Sequence, residues 1–139
     1  MRTYPWGEQL PDGTQANFAD KYLDLAWSEQ NVDDGYSFTA PVGSYLLGAS
    51  PYGALDMAGN VREWVQDWYD EDYYRESPNK NPSGPAHDLL YGDVFRMTRG
   101  GSWYSSIDGL STFDRLANIA GVKDAQFGFR CALSEVYGN

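Results

Sequence analysis

Val61-Arg62-Glu63-Trp64-Val65-Gln66-Asp67-Trp68-Tyr69 is the stretch on which the fold turns. Side chains alternate between the two faces of a β-strand. Arg62, Trp64, Gln66 and Trp68 therefore share one face, and Val61, Glu63, Val65 and Asp67 the other. Neither set is purely apolar, so the strand is expected to meet protein on both sides.

A second strand is expected at Val94-Phe95-Arg96-Met97-Thr98-Arg99, stopped by Gly100-Gly101. A third is expected at Phe127-Gly128-Phe129-Arg130-Cys131-Ala132-Leu133, with Phe127, Phe129, Cys131 and Leu133 facing together. Residues 70–91 are rich in Pro, Asn, Ser and Gly and read as one long ordered loop. Toward the N-terminus, Tyr4-Pro5-Trp6-Gly7 and Leu10-Pro11-Asp12-Gly13 read as turns. Residues 18–27 are either a short amphipathic helix or a packed loop. A polar turn at Asn31-Val32-Asp33-Asp34-Gly35 leads into the extended Tyr36-Ser37-Phe38-Thr39, and Pro41 and Pro51 bracket a further connector. Short antiparallel strands joined by long irregular loops make this an α+β domain.

Length and composition agree. The 139 residues suit one hydrophobic core, and 42% apolar content can fill it. Five Trp and 11 Tyr beside 15 Gly and 7 Pro favour short strands and structured turns over long helices. The formal charge of −10, with no cluster of Lys and Arg, excludes a nucleic-acid groove. The acidity serves solubility, or it supplies oxygen ligands to a hard cation such as Ca²⁺. Cys131 stands alone, so an intrachain disulfide, a two-cysteine redox site and a cysteine-rich zinc site are all excluded. No apolar run approaches the roughly 20 residues of a membrane span. The N-terminus is too polar for a secretory signal, so the chain reads as soluble with its compartment undetermined.

Ten blocks then fall in order. They are Tyr4-Pro5-Trp6-Gly7, Ala16-Asn17, Asp34-Gly35-Tyr36, Ala40-Pro41-Val42-Gly43 and Tyr52-Gly53-Ala54-Leu55-Asp56-Met57-Ala58-Gly59-Asn60-Val61. Glu63-Trp64-Val65, Asp67-Trp68-Tyr69, Asn81-Pro82-Ser83-Gly84-Pro85, Arg99-Gly100-Gly101-Ser102-Trp103 and Gly128-Phe129-Arg130-Cys131-Ala132 complete the series. In this register the chain resembles the C-terminal part of the formylglycine-generating-enzyme, or sulfatase-modifying-factor, domain, whose fold is related to C-type lectins. The resemblance covers residues 4–135 and starts in the middle of the family's domain. It implies a fragment or a chain whose apolar surface is covered by a partner.

The resemblance implies two calcium sites. The first would use the side chains of Asn17 and Asp34 and the carbonyls of Phe18 and Tyr36. The second would use the side chains of Asp56 and Glu63 and the carbonyls of Gly59 and Val61. Hard oxygen donors with a large backbone share suit Ca²⁺. The residues alone also allow a plainer reading, in which Asn17 and Asp34 cap turns and Glu63 pairs with Arg62 or another base.

The family's oxidation of a substrate cysteine needs two copper-binding cysteines shortly after the Gly-Gly-Ser block. Those positions hold Ser105 and Leu110, neither of which can replace a thiolate, so copper is not expected. Cys131 matches a structural cysteine of the family and is expected to be a small buried hydrophobe. Related sulfoxide synthases hold iron through several histidines, whereas His87, in a Pro-rich loop, is the one histidine here. Gly101-Ser102-Trp103 is not a nucleophile elbow, and the carboxylates of residues 67–72 read as a solvated face.

Binding remains. Trp103, Tyr104, Ser105, Ser106, Asp108, Phe113, Asp114 and Asn118 mix aromatic anchors with adaptable polar groups. They occupy the segment that the same fold diversifies in retroelement-diversified variable proteins. A protein, peptide or small ligand is the implied partner. The competing expectation is a piece of an oxidoreductase completed by a missing segment or partner. Arg99, Arg115 and Arg130 are expected in buried pairs with carboxylates.

Overall fold

The computed structural model describes residues 2–86 and 95–132. Its sheet contains β1 (Arg62–Trp68), β2 (Phe95–Arg99), β3 (Leu116–Ile119) and β4 (Phe127–Gly128), in the spatial order β3-β2-β1-β4. The only α-helix among the described residues is one turn, α1 (Tyr73–Glu76), and 3₁₀ turns occur at Leu46–Gly48 and Ile107–Leu110. No helix of the described residues is long and apolar enough to cross a membrane.

β1 lies centrally and meets protein through both edges. It runs antiparallel to β2, with Glu63 opposite Arg99 and Trp64 opposite Thr98, and parallel to β4, with Arg62 opposite Phe127. The β1–β2 register shifts between Trp64 and Trp68, and Trp68 faces Arg96. There the Arg96 guanidinium lies 4.1 Å from the Trp68 ring and donates to the Gln66 carbonyl at 3.0 Å. A cation on an indole face and a charge-assisted hydrogen bond together stabilise the irregular pairing.

Two expectations change. The third strand is two residues long and parallel to β1, because its ladder stops at Gly128 opposite Glu63. Beyond it the Arg130 guanidinium ties residue 130 to Glu63 and to the Leu55 and Asp56 carbonyls. Phe129 is 76% exposed, and Cys131, expected to be buried, is exposed as well. Leu133 and His87 lie outside the described residues, as does Val94 of the second expected strand. Leu116–Ile119 also forms an edge strand within a segment read as binding loop. It pairs with β2 from Phe95–Ile119 to Thr98–Leu116.

Residues 18–27 are a packed loop, with no helix. Phe18 supplies the largest fully buried side chain, in a core with Tyr4, Ala16, Ala58 and Leu110. Burying a Phe or Leu contributes about 1.5–3 kcal/mol each. Tyr4 and Trp6 stack at 5.1 Å, and the Tyr4–Gly7 turn closes with reciprocal backbone bonds of 2.8 and 3.0 Å. The segment is pinned from far along the chain: the Thr112 N–H donates to the Thr3 carbonyl at 2.8 Å, and the Thr112 hydroxyl to the Arg2 carbonyl at 2.5 Å.

One glycine fixes how this core meets the sheet. Gly59, at φ +80°, lies so close to residue 17 that a Cβ would sit 2.3 Å from the Asn17 carbonyl oxygen. The next amide, of Asn60, donates to that same oxygen at 2.8 Å, while the Gly59 N–H reaches the Gly100 carbonyl at 2.7 Å. Only glycine permits both the dihedral and the approach.

Candidate functional site

Asn17 and Asp34 meet in the core beneath the loops. Asn17 is 1% exposed, and its Nδ2 donates to the Phe38 carbonyl at 2.7 Å. Its Oδ1 is buried without a hydrogen-bond partner. Asp34 is 6% exposed and accepts the Phe18 N–H at 2.8 Å and the Tyr36 N–H at 2.9 Å. Burial pushes the Asp34 carboxyl up to about 6, helped by the charges of Asp20 and Asp33 and partly offset by those two backbone donors. The four residues assigned to the first calcium site are thus brought into one neighbourhood.

Sequence reasoning missed two members of this cluster. Asp20, 1% exposed, accepts the Asp34 N–H at 2.8 Å and the Tyr22 N–H at 2.9 Å. The Tyr45 hydroxyl donates to the Asp34 carbonyl at 2.9 Å. Burial, then the Asp34 charge, raises the Tyr45 pKa well above the ordinary phenol value. An acid ending the small and apolar run Ala16-Asn17-Phe18-Ala19 was the available signal for Asp20.

Two buried carboxylates and an orphaned amide oxygen form a set of hard oxygens with no guanidinium or ammonium of the described residues hydrogen-bonded to them. That chemistry fits Ca²⁺. No cluster of three or more His, Cys, Asp or Glu suited to a metal occurs among the described residues, so a cation here would depend on amide and carbonyl oxygens as well.

The second set is arranged differently. Asp56, at φ +54°, accepts the Gly43 N–H at 2.7 Å. Both Glu63 oxygens are taken by Arg130, from Nε at 2.6 Å and Nη2 at 2.5 Å. The same guanidinium binds the Leu55 and Asp56 carbonyls at 3.0 and 2.9 Å. A guanidinium already occupies both Glu63 oxygens, and so arranged Glu63 does not offer them to a calcium ion. Arg130 pairs with a carboxylate as expected, but its side chain is 39% exposed rather than buried. Arg99 instead holds the Asp114 and Thr112 carbonyls at 2.9 and 2.8 Å, and Arg115 lies 4.3 Å from the Tyr74 ring centre. Arg62, read as a possible partner of Glu63, is bonded instead to Asp114, and Arg75 pairs with Asp72.

Ser105 and Leu110 have structural duties. The Ser105 hydroxyl accepts the Ser102 N–H at 2.9 Å, and its carbonyl accepts the Ala19 N–H at 2.9 Å. Leu110 is 1% exposed in the core.

The expected ligand surface divides into two parts. Trp103 and Tyr104 sit edge to face at 5.5 Å. Trp27 meets Tyr104 at 5.5 Å and Phe38 meets Trp103 at 5.1 Å, extending the row to four rings from three segments. Trp27 Nε1 donates to the Tyr104 carbonyl at 3.0 Å, and Trp103 Nε1 to the Ala125 carbonyl at 3.2 Å. Trp27 and Phe38 remain 44% and 63% exposed, and neither was foreseen. Ser106 and exposed Asp108 flank and form the 3₁₀ turn that follows. Asn118 belongs to β3, at the opposite sheet edge from β4, and donates to Thr98 Oγ1 at 2.8 Å. Asp114 is committed to Arg62, whereas Phe113 is exposed.

Comparison with known proteins places these features. A family model described as "Sulfatase-modifying factor enzyme 1-like domain" matches residues 1–135. The chain is 41% identical over 131 residues to the serine/threonine-protein kinase pkn1 of Chlamydia caviae, covering 93% of this chain and 17% of that protein. It is 32% identical over 139 residues to the formylglycine-generating enzyme of Streptomyces coelicolor, covering 94% of this chain and 40% of the enzyme. The solved structure of Treponema denticola variable protein 1 matches with a TM-score of 0.65 at 26% identity, over 91% of this chain and 39% of that one. The chain therefore spans less than half the length of each relative, and the likeness in structure supports the α+β fold.

Proposed function

We propose that this chain, which belongs to the sulfatase-modifying factor enzyme 1-like domain family, is a calcium-stabilised, non-catalytic binding domain. One juxtaposition carries the reading. Ser105 and Leu110, in place of copper cysteines, are spent on a turn and on the core, while the rings of Trp27, Tyr104, Trp103 and Phe38 line up beside them, partly open to solvent. Rigid aromatic side chains bring large contact area at low entropic cost, which suits recognition of a protein, peptide or small ligand. The likeness to a protein named as a variable protein favours diversified ligand recognition within this reading. Exposed apolar residues away from the row, among them Val42 at 89% and Leu46 at 72%, suit a surface covered by further chain or by a partner. Calcium would be held by Asn17, Asp34 and neighbouring carbonyls, and would supply charge compensation to the buried acids.

The alternative reading, part of an oxidoreductase completed by other residues, rests on the 32% identity to a formylglycine-generating enzyme. Incubation with Cu(I) and a cysteine peptide, followed by mass spectrometry, separates the two. The expected result is unmodified cysteine; aldehyde product would overturn the binding reading. Selecting a displayed peptide library on the chain should yield binders that a Trp27→Ser, Phe38→Ser double variant no longer captures.

A further inference from the structure

We propose that the cavity between the Tyr4-Pro5 turn and the Ser50-Pro51-Tyr52 turn is a binding site for a small apolar monocarboxylate. It encloses about 460 Å³, shares no residue with the aromatic row and contains neither calcium set. This volume lies within the roughly 300–1,000 Å³ of small-molecule sites.

Charge is the discriminating observation. The chain carries 20 Asp and Glu against 10 Lys and Arg, yet the charged lining of this cavity is Arg2 and Arg99, with no carboxylate. Two other cavities contain arginine together with a carboxylate. In the 450 Å³ cavity, Arg130 accompanies Asp56 and Glu63, and in the 120 Å³ cavity, Arg99 and Arg115 accompany Asp67. Of these three cavities, the first is the one lined by arginine and by no carboxylate.

The site is also built. Arg99 is fixed by its bonds to the Asp114 and Thr112 carbonyls. These use two of the five N–H donors of a guanidinium and leave three for a ligand. Arg2 is exposed, and the nearby Glu8 carboxyl is held below its ordinary pKa first by its bonds from Thr3, at 3.0 and 2.5 Å, and last by the Arg2 charge. Tyr4, Pro5, Pro51 and Met57 supply apolar wall, with Tyr52, 96% exposed, at the mouth. The wall of residues 50–54 is closed on itself by Gly53 N–H to Ser50 O and Ser50 N–H to Ala54 O, both at 2.9 Å. A fixed guanidinium matches a carboxylate through two parallel bonds and needs little reordering on binding. The apolar wall favours a carboxylate carried on a hydrocarbon body over a free phosphate, whose remaining charged oxygens would face Pro5, Pro51 and Met57.

Calorimetry with phenylbutyrate, its neutral counterpart phenylbutanol and phenyl phosphate tests the assignment. The acid should bind at least about tenfold more tightly than the alcohol at low salt. Arg99→Gln should abolish that preference. Because Arg99 also braces a loop, Arg2→Gln, at an exposed side chain, provides an independent arm and should reduce the preference severalfold. Tyr52→Ala should weaken acid and alcohol alike. Equal affinities for acid and alcohol, a preference unchanged in Arg2→Gln and in folded Arg99→Gln, tighter binding of phenyl phosphate, or no phenylbutyrate binding at about 5 mM would each overturn it.

Discussion

Arg62 donates from Nη1 to Asp114 Oδ2 at 2.8 Å, joining two residues 52 positions apart, with side chains 10% and 30% exposed. The two partners are not equally replaceable. Asp114→Ala strands a buried guanidinium and should cost about 2–3 kcal/mol, whereas Arg62→Met leaves a carboxylate that water can reach and should cost about 1 kcal/mol. Urea unfolding of both variants decides this, and equal losses would refute the asymmetry.

Stability should depend on pH through Asp34. Its folded pKa, about 6, lies above the ordinary 3.8, so the folded state holds the proton more tightly than the unfolded one. This contribution is complete below pH 3.8 and is lost as pH rises through about 6. In chelator, the melting temperature should therefore carry a falling component between pH 4 and 7 that Asp34→Asn removes. A slope identical in wild type and variant would exclude Asp34 as its source.

Calcium should act on the same residue. At a hundredfold excess over Kd, a bound ion adds about 2.7 kcal/mol to stability. The gain in melting temperature should vanish in Asn17→Ala and Asp34→Asn and persist in Glu63→Gln, since Arg130 already occupies the Glu63 oxygens. Loss of the gain in Glu63→Gln alone would move the ion to the second set.

Gly59→Ala should cost more than 2 kcal/mol, because the new methyl group meets the Asn17 carbonyl at 2.3 Å in addition to the strain of φ +80°. Gly53→Ala has a similar φ of +76° but open space around it, and should cost about 1 kcal/mol. Thermal melts of the two variants separate steric clash from dihedral strain.

The first strand was legible because seven consecutive residues alternate and two of them are tryptophan. β3 was not legible: Leu116-Ala117-Asn118-Ile119 has little intrinsic strand preference and exists by pairing with β2. Cys131 was misjudged for a related reason. Period-2 alternation predicts which residues face together, but not that the ladder ends at Gly128 and leaves that face open. Around Asp34, the residue-by-residue resemblance grouped Asn17 with Asp34, whereas Asp20 had only a weak local signal and Tyr45 joins through tertiary contact. The aromatic row was half visible. Trp103 and Tyr104 are adjacent in sequence, whereas Trp27 and Phe38 reach them from loops 77 and 65 positions away.

The bonds from Thr112 to the Arg2 and Thr3 carbonyls have a consequence in time. At roughly 5–20 residues per second, a ribosome needs on the order of 5–20 s to travel from residue 3 to residue 112. Throughout that interval the Tyr4 turn has no anchor and Phe18 lacks Leu110 to pack against. The Tyr4 turn is therefore made about a hundred residues before the segment that secures it, and its apolar residues stay uncovered until Leu110 and Thr112 emerge.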